Sequence, residues 1–170
     1  MTTASATRLR PMTPSDLPAI VEIEQQVQPF PWREGHFSDS LAAGHLCQVL
    51  VDGNTDEILA YAILMPLPEE TELLTIAVSA TRQRQGLGQA LLRTLIDAAM
   101  QAGHQAMFLE VAGGNQPARR LYARLGFEQV GCRKNYYRAE DGSTDDAWVM
   151  RLALHPEHEG TRADGGAGHV

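Results

Sequence analysis

Arg82–Leu92 reads RQRQGLGQALL. A basic cluster meets two glycines and then an apolar periodic segment. From Gly86 to Gly103, the residues Leu87, Ala90, Leu91, Leu95, Ala98 and Ala99 share one face, which predicts an amphipathic helix. Gly103 suits the position just past its last turn. The preceding run TELLTIAV (71–78) reads as a strand. The stretch is then a strand-to-helix turn. Its glycines let the backbone approach a ligand closely, and the helix aims its unbonded N–H groups and positive dipole end at the same place. An ordinary connecting turn is the competing reading, and Arg82 and Arg84 favour an anion site over it.

What the stretch lacks narrows the anion. A phosphate-binding loop of the nucleotide-hydrolase type needs Lys and then Ser or Thr after the second glycine, and Gln89 and Ala90 stand there. A dinucleotide fingerprint needs a third Gly or Ala, and Leu91 occupies that place. The stretch offers no metal ligand. A pyrophosphate held by backbone amides without magnesium fits, which is the requirement of coenzyme A.

Outward from the turn, the chain of 170 residues, 44% of them hydrophobic, predicts one domain over 1–154 and a disordered tail over 155–170. Arg8 to Met12 reads as a first strand. TPSDLPAIVEIEQQV reads as a helix with Thr13 as N-cap, Pro14 at its first position and Asp16 in its first turn. In it Leu17, Ile20, Val21 and Glu24 recur at helical spacing. QPFPW breaks it, and a weaker helix spans Arg33 to Ala43. Strands follow at HLCQVLV, EILAYAILM and TELLTIAV, then the helix after the glycine turn and the strand QAMFLEVA. A short helix runs from Asn115 to Leu125, and the hairpin FEQVGCRKNYYR/DAWVMRLAL closes the domain. The order β-α-α-β-β-β-α-β-α-β-β is mixed α/β, not the strict alternation of a doubly wound sheet.

The net charge of -7 argues against general nucleic-acid binding. Cys47 and Cys132 lie far apart, outside any C-x-x-C pattern, which suits a reducing compartment. The histidines show no metal-ligand spacing. No leader-like or membrane-length apolar run is present, so the expectation is a soluble cytoplasmic protein, without membrane or metal.

Two side chains carry chemistry. Glu110 sits in the apolar strand MFLEV, where it is either a base at a cleft or an exposed strand-face charge. Tyr122 lies on the apolar side of the short helix, where it is either a proton donor or a core residue with a satisfied hydroxyl. Transfer of an acyl group from a thioester to an amine needs both a base for the ammonium and an acid for the leaving thiolate.

The loop RQRQGLGQALL resembles the acyl-CoA loop of the GNAT N-acetyltransferases, and the likeness extends over about 7–154. It implies a central mixed, mostly antiparallel sheet of about seven strands flanked by about four helices. It also implies acetyl-CoA as cosubstrate, held at Arg84, Gln85, Gly86, Leu87, Gly88 and Gln89. Ile76, Ala77 and Val78 would pair with the pantetheine amides, a backbone N–H near Val78 would polarise the thioester carbonyl, and Asn115 would bind near the pantetheine. FPW, IAV, QRQGLG, LEV, the NxPAxxLYxxLGF run, NYY and DGSTDDAWVM together resemble the bacterial ribosomal-protein-alanine acetyltransferases. In that branch the carboxylate corresponding to Glu110 is the base and the phenol corresponding to Tyr122 the acid. Phe30, Pro31 and Trp32 on one loop and Tyr136 and Tyr137 on another would flank a peptide groove. The implied acceptor is the N-terminal alanine of a basic small-subunit ribosomal protein, the eighteenth, and the implied enzyme a monomer or weak dimer. Alternatives are acetylation of lysine or a small amine, or a non-catalytic acyl-CoA-binding module. The acidic residues Glu69, Glu70 and Glu72 favour a basic peptide or are simply solvated. One departure from the pattern is Ala112 and Gly113 in the AGGN turn, which predicts a looser loop.

Overall fold

The computed structural model describes residues 6–154; the tail expected to be disordered, 155–170, lies outside the described residues. Among the described residues, seven strands and four α-helices follow one another in the expected order. The strands are β1 (Thr7–Pro11), β2 (Leu46–Asp52), β3 (Ile58–Pro66), β4 (Glu70–Val78), β5 (Ala106–Ala112), β6 (Glu128–Arg138) and β7 (Thr144–Ala153). The helices are α1 (Leu17–Val27), α2 (Glu34–Ala42), α3 (Leu87–Gln101) and α4 (Gln116–Arg124). They form one sheet in the order β1-β2-β3-β4-β5-β7-β6. Only β4 and β5 are parallel neighbours. Among the described residues no helix is long and apolar enough to cross a membrane.

Period-two alternation sorts the side chains into two cores. Ala60, Ala62 and Leu64 of β3 join Leu91, Leu92 and Leu95 of α3 and Tyr122 of α4 on one face. Tyr61 and Ile63 turn to the other face, with Leu17, Ile20 and Ile23 of α1 and Phe37 of α2. β3 is thus buried on both sides, which explains its nearly unbroken apolar run.

The first helix starts later than its sequence signals suggest. Pro14–Asp16 forms a 3₁₀ turn, and the α-helix begins at Leu17. Asp16 serves the helix end and pairs with Arg10 as well. Its carboxylate accepts two bonds from Arg10, both 2.8 Å, and one from the Thr13 N–H, also 2.8 Å.

Two irregularities of β4 shape the middle of the sheet. Ile63 pairs with Thr75 but Leu64 with Leu73, so Leu74 is an extra residue in β4. This bulge puts Leu73 and Ile76, three apart, on the same face. Just there the parallel pairing ends, because β4 and β5 are bonded only over Glu70–Leu73 and Ala106–Leu109. Beyond it the two strands diverge and leave a wedge in the middle of the sheet.

Candidate active site

The wedge opens into a cleft of about 550 Å³. Its walls come from β4, β5, the start of α3, α4, the end of α1 and Tyr137 of β6. Antiparallel pairing decides which backbone groups face it. Ser79 N–H donates to Leu59 O at 2.8 Å, and bonded pairs alternate along the ladder. Ala77, opposite Tyr61, therefore spends its backbone groups on β3, and its methyl is buried in the α1 core. Of the three β4 residues expected to meet the pantetheine, only Ile76 and Val78 turn their N–H and C=O groups into the gap. Both carbonyls have side-chain partners. Gln28 Nε2 donates to Ile76 O at 3.0 Å and Gln83 Nε2 to Val78 O at 3.2 Å.

The glycine turn sits at the mouth of the wedge. Gly86 precedes α3 with φ at +78°, and nothing lies within 4 Å of where a Cβ would be. Its requirement is conformational, and the space beside it is open to a ligand. Gly88 has a different reason. A Cβ there would lie 3.3 Å from Val78 Cγ2, so the small residue seats the helix against β4. Arg84 adopts φ +65° without being glycine, the kind of backbone strain that collects at functional sites. Leu87 and Gln89 line the cleft with Arg84 and the glycines, whereas Gln85 points to solvent. Arg82 also lines the cleft and pairs at its edge with Glu57 at 3.3 Å.

Glu110 and Tyr122 reach the cleft from opposite faces of the sheet. Met107, Leu109 and Val111 fill the α3/α4 core, so Glu110 projects to the other side. There its Oε1 lies 3.2 Å from Arg133 Nε, with the carboxylate side chain 19% exposed. Tyr122 comes from the α3/α4 side and is buried. A helix-ending motif fixes it: Phe127 N–H donates to Tyr122 O and Gly126 N–H to Ala123 O, with Gly126 at φ +100°. The Tyr122 and Phe127 rings pack at 5.8 Å. Burial raises the Tyr122 pKa well above the ordinary value, helped by the nearby Tyr137.

Tyr137 is pushed up to about 12, first by burial and then by Glu110, Tyr136, Asp145 and Glu72. It stacks on Phe30 with ring centres 5.1 Å apart. The two aromatic loops therefore meet, and Phe30, Trp32 and Tyr137 line the cleft. Pro31 and Tyr136 lie outside its wall and are exposed. The placement of Tyr137 depends on a wide bulge in β6. Arg133 pairs with Ala147 and Tyr137 with Asp145, so three β6 residues face Asp146 alone. Asp146 holds the bulge through the Asn135 N–H at 2.8 Å and Lys134 Nζ at 3.4 Å. Asp145 accepts the Gly114 N–H at 2.8 Å. The two neighbouring aspartates thus brace one loop each.

The AGGN turn differs from its expectation. Gly113 N–H bonds Asp146 O at 2.9 Å, Asn115 N–H bonds Ala112 O at 2.9 Å, and Arg119 Nη1 bonds Gly113 O at 2.6 Å. The turn is tied rather than loose. A Cβ at Gly113 would meet Trp148 Nε1 at 2.9 Å, so glycine admits the indole. Asn115 caps α4, its side chain accepting from Ala118 N at 3.4 Å, and lines the cleft.

Four residues of this arrangement escaped the sequence reading of the site: Glu24, Gln28, Gln83 and Arg133. Only Glu24 carried a signal, as a carboxylate inside the apolar stripe of α1. It is buried, lines the cleft, and accepts from the Tyr61 hydroxyl and, at 2.9 Å, the Trp32 N–H.

Comparison with known proteins agrees with this fold. Residues 17–127 match the acetyltransferase (GNAT) family. The [ribosomal protein bS18]-alanine N-acetyltransferase of Escherichia coli K12 is 39% identical over 140 residues, covering 82% of this chain and 93% of that protein. The crystal structure of the ribosomal-protein-S18-alanine N-acetyltransferase from Escherichia coli superposes with a TM-score of 0.79 at 37% identity, over 88% of this chain and 94% of that one. Arabidopsis thaliana NAA60 in complex with acetyl-CoA shares the fold, with a TM-score of 0.76 at 20% identity, over 88% of this chain and 99% of that one.

Proposed function

Since the chain belongs to the GNAT acetyltransferase family, we propose that it transfers an acetyl group from acetyl-CoA directly to the α-amino group of the N-terminal alanine of the small-subunit ribosomal protein bS18. The observation that carries this reading is the meeting of Glu110 and Tyr122 in one cleft from opposite faces of the sheet, beside the Phe30–Tyr137 stack. A binding module would need the wedge and the glycine turn but not a carboxylate and a phenol on either side of the gap.

The cleft fits acetyl-CoA on its own chemistry. The wedge exposes a strand edge at Ile76 and Val78, able to pair with the amides of a pantetheine arm. The start of α3 presents N–H groups with open space beside Gly86, suited to a pyrophosphate. Bound acetyl-CoA supplies the activated thioester, and the remaining steps belong to the protein. Gly86 to Gln89 hold the phosphates, with Arg84 beside them. The β4 backbone and Asn115 orient the arm. An N–H near Val78 polarises the carbonyl.

Glu110 takes the proton of the incoming ammonium, either directly or through a water, and Arg133 holds its carboxylate in place. Tyr122, protonated at neutral pH as any tyrosine is, gives its proton to the departing sulfur. An α-amine, with a pKa of about 7.7–8.0, is already partly neutral near pH 7, so one carboxylate suffices. A lysine, at about 10.4, asks for a stronger base.

Mass spectrometry of peptides incubated with acetyl-CoA tests the reading. A basic alanine-starting peptide is expected to gain one acetyl group on its α-amine. The same peptide with that amine blocked and its lysines free is expected to gain none. Acetylation confined to lysines would overturn it.

A further inference from the structure

Glu24 is 1% exposed, and neither proton transfer nor coenzyme binding employs it. Burying a carboxylate is costly, and its helix neighbours Leu17, Ile20 and Ile23 show that an apolar side chain would suit the same face. Among the described residues no Lys or Arg forms an ion pair with it. Its partners are instead two donors, the Tyr61 hydroxyl on Oε1 and the Trp32 N–H on Oε2.

The second donor belongs to the linker between α1 and α2. Pro29 and Pro31 in that linker have no N–H to give. Gln28 N–H bonds the backbone carbonyl of Glu24 at 3.0 Å, and Trp32 N–H bonds its carboxylate at 2.9 Å. Both ends of the 28–32 loop therefore close on this one residue. Phe30 stands at the middle of the loop, stacked on Tyr137. Tyr61, in the doubly buried β3, anchors the carboxylate to the sheet.

We propose that Glu24 is the positioning residue of the acceptor groove: its carbonyl and buried carboxylate clamp the 28–32 loop, so that Phe30 is presented to Tyr137 where the acceptor peptide enters. The proposal rests on the acceptor reading given above. Glu24 touches no reacting atom, and its effect reaches the substrate through Phe30.

The test compares Glu24→Leu, Glu24→Asp and Glu24→Gln. Leucine removes the acceptor, and aspartate is one methylene too short to reach both donors. Each is expected to raise the KM for the alanine-starting peptide about tenfold while the Kd for acetyl-CoA stays within about twofold. Glutamine is expected to stay within about threefold of wild type, because its amide oxygen still accepts the Trp32 N–H and its NH₂ can donate to Tyr61. Hydrogen exchange at the Trp32 amide gives a readout independent of turnover: protected in wild type and Glu24→Gln, exchanging freely in the other two. If Glu24→Leu does not fold, Glu24→Asp decides.

A wild-type peptide KM in the Leu or Asp variant, or a parallel loss of acetyl-CoA affinity, overturns the proposal. A wild-type enzyme that ignores the α-amine would sink the acceptor reading instead. In that case unchanged Trp32 protection in the variants overturns the clamp, and lost protection upholds it.

Discussion

At the scale of single residues, the sheet separates the proposed acid from the proposed base. Strand alternation sends Glu110 to one face, and the Gly126 turn locks Tyr122 on the other. The gap between β4 and β5 is where the two can approach the same bond. Glu110→Gln is expected to lower kcat about 10²-fold at pH 6.5, where most of the amine is ammonium. The deficit should narrow above the amine pKa of about 7.7–8.0. Tyr122→Phe is expected to slow transfer by at least about tenfold with the KM for acetyl-CoA nearly unchanged. Steady-state kinetics between about pH 6.5 and 9 check both, and rates unchanged in both variants would remove the pair from the mechanism. That both residues line the cleft was legible in the sequence, because each stands in a motif of recognisable type. Arg133 was not, since one arginine on an exposed strand looks like any other until β6 and β7 bring it beside Glu110.

At the scale of elements, every strand and helix is readable from periodicity, and their ends shift by a residue or two. The first helix shifts most, because Pro18 has no N–H to close an α-turn on Pro14, and the Leu17 N–H closes a 3₁₀ turn on it instead. Bonds from Arg10 and Thr13 bring the Asp16 pKa down from 3.8 to about 2, against the opposing pull of burial. A carboxylate with a lowered folded pKa stabilises fully above its unfolded value and loses that contribution as pH falls through the folded one. The Arg10–Asp16 pair should therefore contribute on the order of 1–2 kcal/mol above about pH 4, fading toward pH 2. Urea melts of wild type and Asp16→Asn are expected to differ by that amount at pH 6 and to converge only as pH falls below about 2. Equal stability at pH 6 would refute it. The bulges at Leu74 and at 134–136 are not readable from local pattern. Each depends on which strand lies opposite, and that is decided by the whole sheet. They matter most for function, since one opens the wedge and the other places Tyr137.

At the scale of the whole molecule, a net charge of -7 would steer the basic acceptor peptide proposed above. Burial, and then repulsion from the nearby Glu110, raise the Glu72 pKa against the opposing pull of Arg133. Steering by such a field weakens with salt. Between about 0.02 and 0.3 M salt, kcat/KM for a basic peptide is expected to fall by roughly threefold or more, while that for a neutral alanine-starting peptide stays level. Equal salt slopes for the two peptides would refute steering. The wedge itself has another consequence. It leaves Ile76 and Val78 as a raw strand edge in the interior of a sheet, and raw edges recruit stray extended chains. Gln28 and Gln83 blunt this edge with side chains, which a ligand can push aside without breaking a strand pair. The empty protein is thereby shielded from mispairing with its own kind at the very place where it must stay open to its substrate.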